Sequence, residues 1–233
     1  MRVERIGNAE LWLGDCRDVM ASWPACRRVD VVITDPPYGI SYDASHEKYK
    51  NGIAREAATW DVNPFDPAPI LALGYPTIMW GGNCFSSRLP DHPGWLSWLK
   101  TVRNGADIRQ ADMELAWTNF IRRSQTFRHL WIGAYRDSES GMSNQHPTQK
   151  PIAVMRWCIE VAGHPNTILD PYMGSGTTGV ACMQLGRRFI GIEIEPKYFD
   201  IAVERITNAQ RQTSLLDGHD TVTRSYEQLE ILP

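Results

Sequence analysis

A strand, a glycine-containing turn, a helix and a second strand follow one another near the end of the chain, and this succession constrains the fold most strongly. NTILD (166–170) is short and apolar, PYMGSGTTGVACMQLG (171–186) begins as a turn and continues with helical spacing, and RRFIGIEI (187–194) is again strand-like. A strand–helix–strand unit of this length joins two parallel strands through a crossover. The chain is therefore predicted to contain a parallel sheet.

Other apolar segments extend this sheet. VDVVITD (29–35) is a nearly continuous apolar run, which is typical of a strand buried on both faces. Four further strands are predicted at ELWLGD (10–15), PTIMW (76–80), GWLSWLK (94–100) and ELAWT (114–118).

Helices are predicted between and after these strands, at residues 16–23, at 150–163 and from Pro196 onward. The expected fold is α/β and Rossmann-like, with a mostly parallel twisted sheet and helices on both faces. A single domain is expected over residues 1–233.

Composition excludes several classes of protein. With 42% hydrophobic and 22% charged residues the chain is typical of a globular protein, and it has no apolar run long enough to cross a membrane. Its charged N-terminal segment does not resemble a signal peptide. The five cysteines are odd in number and form no CxxC pair. These features predict a cytoplasmic protein with reduced, mostly buried thiols, Cys84 among them.

Charge is distributed unevenly along the chain. The net charge is −3, but residues 100–150 contain eight Lys/Arg against five Asp/Glu, whereas residues 192–233 contain four against eight. Arginines alternate with aromatic residues in the basic segment, a composition that suits nucleic-acid contact. The alternative is an aromatic core with a solvated arginine rim. The candidate DNA-binding residues are Arg103, Arg109, Arg122, Arg123 and Arg128.

The glycine turn indicates a ligand. Gly174 and Gly176 lie directly between a strand and a helix, where glycine allows close backbone approach and the helix N-terminus offers free N–H groups. The third glycine of the dinucleotide fingerprint is missing, and no GxxxxGK[ST] motif exists. Glu193, at the end of the next strand, can accept hydrogen bonds from ribose hydroxyls. Together these features predict a cofactor that carries a nucleoside.

Three stretches in a fixed order carry a family resemblance. DPPY (35–38), HPTQKP (146–151) and DPYMGSGTT (170–178), followed by FIGIEIEPKYF (189–199), resemble the S-adenosylmethionine-dependent DNA amino-methyltransferases. The order resembles that of the β-class, in which DPPY precedes the glycine motif. The resemblance covers residues from about 10 to about 206. It implies a class I methyltransferase fold with permuted motif order, S-adenosylmethionine as cofactor and double-stranded DNA as partner.

The resemblance assigns catalysis to Asp35, Pro36, Pro37 and Tyr38. The amino group of a base is a weak nucleophile because its lone pair is delocalised into the ring. Asp35 and the carbonyl of Pro36 are expected to accept its N–H groups and direct the lone pair toward the methyl donor. Tyr38 is expected to offer a flat face to a base swung out of the duplex.

The resemblance also implies a cofactor site. Asp15 would contact the adenine amino group of the cofactor, Glu193 its ribose, and Lys150 its carboxylate end. Tyr172 stands where the family often has phenylalanine. The whole implied set is Asp15, Cys16, Asp35, His146, Thr148, Lys150, Asp170, Pro171, Tyr172, Gly174, Ser175, Gly176, Thr177, Thr178, Glu193 and Ile194. The histidines show no metal-ligand spacing, and no metal is expected.

Several alternatives stay open at this stage. The target is either adenine N6, toward which DPPY leans, or cytosine N4. A more distant alternative is RNA or protein-amide methylation, and another is a DNA-binding regulator without catalysis. Residues 41–63 are interpreted as a mobile loop and 101–145 as a small target-recognition insertion, with a homodimer reading a symmetric site. Asp112 and Glu114 are interpreted as part of a strand leading away from the pocket.

Overall fold

The computed structural model describes residues 2–23, 28–40, 63–100, 111–132, 135–139, 141 and 149–229, with side chains up to residue 213. The predictions for residues 41–62, 101–110 and 142–148 lie outside the described residues. Nine strands of the described chain form one sheet. They are β1 (Arg2–Ile6), β2 (Ala9–Leu13), β3 (Val31–Thr34), β4 (Thr77–Trp80), β5 (Trp95–Leu99), β6 (Met113–Thr118), β7 (Gln125–Arg128), β10 (Thr167–Asp170) and β11 (Arg188–Glu193). Their order across the sheet is β1-β2-β11-β10-β3-β4-β6-β5-β7, and a separate pair is formed by β8 (Trp131–Ile132) and β9 (Tyr135–Arg136).

The sheet is mostly parallel, as predicted. Strands β2, β11, β10, β3 and β4 pair in parallel, and so do β5 and β7. Antiparallel pairs occur at the β1 edge and where β6 lies between β4 and β5. The five adjacent parallel strands therefore end at one edge of the sheet, the edge at which open α/β sheets bind their ligands.

Helices cover both faces of the sheet, which confirms the expected layering. They are α1 (Cys16–Ala21), α2 (Ala68–Leu71), α3 (Ile152–Val161), α4 (Thr177–Gln184), α5 (Pro196–Leu229) and a 3-10 helix (Gly82–Arg88). Helices α3, α4 and α5 pack on one face, and α1 and α2 on the other. In β3, Val31 and Ile33 point to the first face and Val32 to the second, which explains why the strand is apolar throughout.

Several sequence-based boundaries and burial assignments are wrong. The strand predicted to end at Asp15 ends at Leu13, because the Asp15 side chain caps α1 by accepting the Arg17 N–H at 2.8 Å. Cys84 is exposed, whereas Cys16, Cys158 and Cys182 are buried. None of the helices among the described residues is long and apolar enough to span a membrane.

Candidate active site

A cleft of about 370 Å³ opens at the carboxyl edge of the parallel strands. Its walls include Asp15 and Cys16 at the start of α1, Tyr172 after β10, and Glu193 at the end of β11. We call this the strand-end cleft. Two acidic side chains and an aromatic ring thus line the cleft, and Pro171 and Ile194 also line it. The sequence-predicted cofactor residues Asp15, Cys16, Pro171, Tyr172, Glu193 and Ile194 are thus brought together.

Backbone N–H groups of the glycine turn and of Glu195 fix the Glu193 carboxylate. Gly174 and Gly176 have φ values of 51° and 80°, a region that favours glycine. The Gly174 N–H donates to Glu193 Oε2 at 2.9 Å, and the Glu195 N–H donates to Oε1 at 2.8 Å. Burial raises the pKa of Glu193 and these backbone donors oppose it. Each carboxylate oxygen keeps a second lone pair, so Glu193 can still accept hydrogen bonds from a ligand.

Asp15 lies near Glu193, because β2 and β11 are adjacent and Leu13 pairs with Glu193. Asp15 Oδ2 lies 2.6 Å from Arg17 Nη2, and the hydrogen bond with Arg17 lowers the pKa of Asp15. Asp15 therefore stays ionised, and a carboxylate is an acceptor for an amino group.

The hydroxyls of the glycine turn face the protein rather than the cleft. Arg205 Nη1, from α5, donates to Ser175 O at 2.6 Å, to Ser175 Oγ at 2.8 Å and to Thr177 Oγ1 at 3.2 Å. The resemblance predicts that Ser175 and Thr177 bind the cofactor, but in the structure they anchor the turn to α5. Sequence reasoning missed Arg205 because nothing local links it to a turn some 30 residues earlier.

Asp170 is likewise an internal residue. Its carboxylate accepts from Thr34 Oγ1 at 2.8 Å, from the Tyr172 N–H at 3.1 Å and from Thr178 Oγ1 at 2.7 Å. It is 2% exposed, and burial raises the pKa of Asp170 to about 7. Asp170 and Thr178, both predicted to bind the cofactor, are thus placed to hold β10 and the turn together.

A second group of polar side chains lies where β3 ends. Lys150 Nζ is 2.6 Å from Asp35 Oδ1 and 3.0 Å from Glu114 Oε2, and it donates to Tyr38 Oη at 2.9 Å. Lys100 Nζ is 2.6 Å from Glu114 Oε1. We call Asp35, Tyr38, Lys100, Glu114 and Lys150 the acceptor cluster. Its two ammonium groups balance its two carboxyl groups.

The contacts of the cluster bear on two sequence-based interpretations. The resemblance assigns Lys150 to the carboxylate end of the cofactor, but its side chain is only 3% exposed and its three donors are used within the cluster. Glu114, interpreted as part of a strand leading away from the pocket, lies inside the cluster. It does so because β6 pairs with both β4 and β5, which brings Glu114 beside Lys100.

Burial and pairing together fix the charges of this cluster. Burial raises the pKa of Asp35, and Lys150 opposes that effect. Burial also opposes ionisation of Glu114, but Lys150 and Lys100 outweigh it and lower the pKa of Glu114 to about 2. Burial disfavours the Lys150 ammonium, whereas Asp35 and Glu114 raise its pKa. Lys150 is therefore a charged donor and Glu114 a charged acceptor at neutral pH.

Tyr38 connects the cluster with its surroundings. Its hydroxyl donates to Asp35 Oδ1 at 2.7 Å, and its ring lies so close to Gly81 that a Cβ there would overlap it. The tyrosine of DPPY thus explains why residue 81, directly after β4, is a glycine. Pro37 belongs to the wall of the strand-end cleft, so the two regions adjoin each other.

The remaining predicted residues fall into two groups. Arg122, Arg123 and Arg128 are exposed, the first two between β6 and β7 and the third at the end of β7. His146, Thr148, Arg103 and Arg109 lie outside the described residues. In the described part of the chain no three His, Cys, Asp or Glu side chains are grouped so as to hold a metal ion.

Comparison with known proteins gives matches of one kind. A family described as DNA methylase matches residues 119–204. YubD, a candidate methylase of Escherichia coli (strain K12), is 27% identical over 222 residues, which cover 85% of this chain and 90% of YubD. The Type II methyltransferase M2.DpnII of Streptococcus pneumoniae is 40% identical over 95 residues, covering 40% of this chain and 35% of that protein.

Solved structures agree with these matches. The M1.HpyAVI–SAM complex aligns with a TM-score of 0.52 and 28% identity over 85% of this chain and 98% of that one. PvuII DNA methyltransferase, described as cytosine-N4-specific, aligns with a TM-score of 0.56 and 13% identity over 89% of this chain and 93% of that one, and shows the fold. The fold and these matches support a DNA methyltransferase that uses S-adenosylmethionine as its cofactor.

Proposed function

We propose that the protein transfers a methyl group to the N6 amino group of adenine at a specific sequence in double-stranded DNA. The observation that carries the proposal is the position of DPPY. Asp35 follows β3 at the ligand-binding edge of the sheet, and Pro37 forms part of the wall of the strand-end cleft. An acceptor for an amino group thus adjoins a site suited to a nucleoside.

The strand-end cleft fits S-adenosylmethionine by the chemistry of its walls. Glu193 offers two fixed carboxylate oxygens to ribose hydroxyls, and Asp15 offers an acceptor to the adenine amino group. Tyr172 supplies an apolar surface beside them. The backbone of the glycine turn is proposed to approach the methionine end. Gly176 is also required by packing, since a Cβ there would lie 2.9 Å from Ala202 Cβ of α5.

Asp35 and the rigid Pro36 carbonyl are assigned to the target amino group. They accept its two N–H groups, which favours a pyramidal nitrogen with its lone pair free. S-adenosylmethionine, when bound, would supply the methyl group. The nitrogen lone pair would form the new N–C bond, the electron pair of the S–C bond would stay on sulfur, and the nitrogen would lose one proton to solvent. The residues of the chain act by positioning and charge, so no covalent enzyme intermediate is needed.

The DNA side is assigned to the basic part of the chain. The exposed Arg122, Arg123 and Arg128 are proposed to contact phosphates, together with Arg103 and Arg109. Residues 41–63 and 101–145 are proposed to close over a flipped base and to read the sequence. We also propose a homodimer on a two-fold symmetric site. Analytical ultracentrifugation with and without cognate DNA tests this last proposal, and a strict monomer on DNA contradicts it.

Modification-aware sequencing of DNA from cells that express the protein tests the function. The expected result is N6-methyladenine at one short sequence, with no modification when Asp35→Ala replaces the wild type. N4-methylcytosine at a short sequence would instead establish the cytosine alternative, which the same acceptor chemistry allows. Unmodified DNA with a folded, cofactor-binding protein would contradict the proposal.

A further inference from the structure

The Tyr38 hydroxyl both donates and accepts hydrogen bonds within the acceptor cluster, and Glu114 Oε2 lies 3.5 Å from it as a second, more distant acceptor. The hydroxyl donates to Asp35 Oδ1 at 2.7 Å and accepts from Lys150 Nζ at 2.9 Å. The cluster therefore presents an acceptor and a donor side by side, since Lys150 Nζ is only 2.6 Å from Asp35 Oδ1. A group that replaces the hydroxyl must satisfy both, because a buried charge left unpaired is costly.

The Watson–Crick edge of adenine, like the tyrosine hydroxyl, offers one donor and one acceptor side by side. Its exocyclic amino group donates, and the ring nitrogen N1 next to it accepts; cytosine offers N4–H₂ and N3 in the same way. Building on the proposed function, we propose that Lys150 donates a hydrogen bond to the ring nitrogen beside the target amino group. The Tyr38 hydroxyl occupies the place of that base edge until the base enters.

Lys150 is held ready for this role by groups on other elements. Asp35 and Glu114 each take one of its three donors, and Tyr38 takes the third. Glu114 is itself fixed by Lys100 at 2.6 Å. The Lys150 ammonium also lies 5.3 Å from the centre of the Trp80 ring. When the tyrosine hydroxyl leaves, one donor is released while two anchors stay.

The pairing also selects among bases. Guanine and thymine present an exocyclic oxygen and a ring N–H along the corresponding edge, which reverses donor and acceptor. Their exocyclic oxygen would face the Asp35 carboxylate, and their N–H would face the Lys150 ammonium. Asp35 and Lys150 together therefore admit a base whose Watson–Crick edge carries an amino group next to an unprotonated ring nitrogen. Lys150 is a specificity-determining residue in this scheme.

Target duplexes that differ in one atom test the proposal. In one duplex the target adenine of the sequence found by modification mapping is replaced by 1-deazaadenine, which keeps the amino group and has C–H in place of N1. Duplex affinity, measured without cofactor, and the single-turnover methylation rate are compared with those of the adenine duplex. For the wild type we expect a loss of about 10- to 100-fold, as for one hydrogen bond to a charged group.

Variants show whether Lys150 is the donor. In Lys150→Met the two duplexes should bind equally, because the donor is gone in both cases. Glu114→Gln removes the charge of one anchor and keeps the side-chain size and an acceptor oxygen, so it should reduce the discrimination between the two duplexes without abolishing it. A 7-deazaadenine duplex is the matched control, because N7 does not lie next to the amino group, and it should behave like adenine. If sequencing finds cytosine as the target, 3-deazacytosine takes the place of 1-deazaadenine.

Two results would overturn the inference and spare the proposed function. One is a wild type that binds and methylates the adenine and 1-deazaadenine duplexes equally well. The other is a Lys150→Met variant that still discriminates as the wild type does, since another group would then contact the ring nitrogen. If Lys150→Met does not fold, the wild-type and Glu114→Gln measurements decide. Failure of the proposed function would look different, because no duplex would then be methylated.

Discussion

The strand-end cleft and the acceptor cluster share one edge of one sheet, yet they hold their carboxylates in different ways. In the cleft, backbone N–H groups of Gly174 and Glu195 fix Glu193. In the cluster, the side chains of Lys150 and Tyr38 fix Asp35. Backbone donors are part of the fold and stay in place, whereas a side-chain hydroxyl can be exchanged. We propose that the cleft is a preformed cofactor site and that the cluster is a base site, which Tyr38 fills until DNA arrives.

The largest effect is expected from Asp35→Ala. Removing the acceptor should lower the methylation rate by at least about 10²- to 10³-fold, comparable to the removal of one preorganised group that stabilises the transition state. Cofactor affinity, measured by calorimetry, should be retained because the Asp35 side chain lies outside the strand-end cleft. Asp35→Asn keeps an acceptor oxygen and should lose less activity. Loss of cofactor binding in Asp35→Ala would contradict the separation of the two regions.

Glu193→Ala tests the other region. It should weaken cofactor binding by about 10- to 100-fold, because the variant cannot form the hydrogen bonds that a charged carboxylate accepts. Duplex affinity in the absence of cofactor should not change. Glu195→Ala is the matched control, since that exposed neighbour contributes its backbone N–H and keeps it. Equal losses of affinity in the two variants would mean that the Glu193 side chain does not bind the ligand.

The pH dependence of the free energy of unfolding distinguishes two buried carboxyl groups, Asp170 and Glu114. Burial raises the pKa of Asp170 from 3.8 to about 7, so the unfolded chain releases this proton at lower pH than the folded protein. The free energy of unfolding should therefore fall as pH rises from about 4 to about 7, with a contribution of up to about 1.4 kcal/mol per pH unit. Denaturant unfolding of Asp170→Asn should lack this contribution. An unchanged pH profile would show that Asp170 is not protonated in this window.

Glu114 should contribute with the opposite sign. Lys150 and Lys100 lower the pKa of Glu114 from 4.5 to about 2, so its ionisation stabilises the fold above pH 4.5. That stability should be lost as the pH falls from about 4.5 to about 2, and Glu114→Gln should remove this pH dependence. Glu114, which is held by two lysines, and Asp170, which is held by hydroxyls and a backbone N–H, should therefore change the free energy of unfolding with pH in opposite directions.

The smallest effect is expected on the exposed arginines. Arg122→Ala and Arg123→Ala should each weaken duplex binding modestly and reduce the slope of log affinity against log salt by about 0.9 for each phosphate that the variant no longer neutralises. Arg188→Ala is the control, because Arg188 is exposed at the amino end of β11, away from the ligand-binding edge. The same change in slope for Arg188→Ala would contradict specific phosphate contacts by Arg122 and Arg123.

Much of the fold could be predicted because local sequence patterns determine it. The buried strands β3 and β10 are apolar runs, and the turn before α4 needs glycine at two positive φ values. Strands β1 and β7 escape prediction because they are short edge strands, RVERI and QTFR, with only one or two apolar residues and no alternation. The exposure of Cys84 also escapes prediction, since burial of a single thiol depends on what surrounds it.

The sequence by itself determined the two halves of the site. DPPY after a buried strand and a glycine turn before Glu193 both follow from local backbone chemistry, which needs no distant partner. Tertiary structure alone decided which side chains meet: Lys150 and Glu114 at Asp35, and Arg205 behind Ser175. These contacts depend on strand order, because β6 lies between β4 and β5 and brings an acidic side chain to a lysine far away in the sequence. No local pattern carries that information.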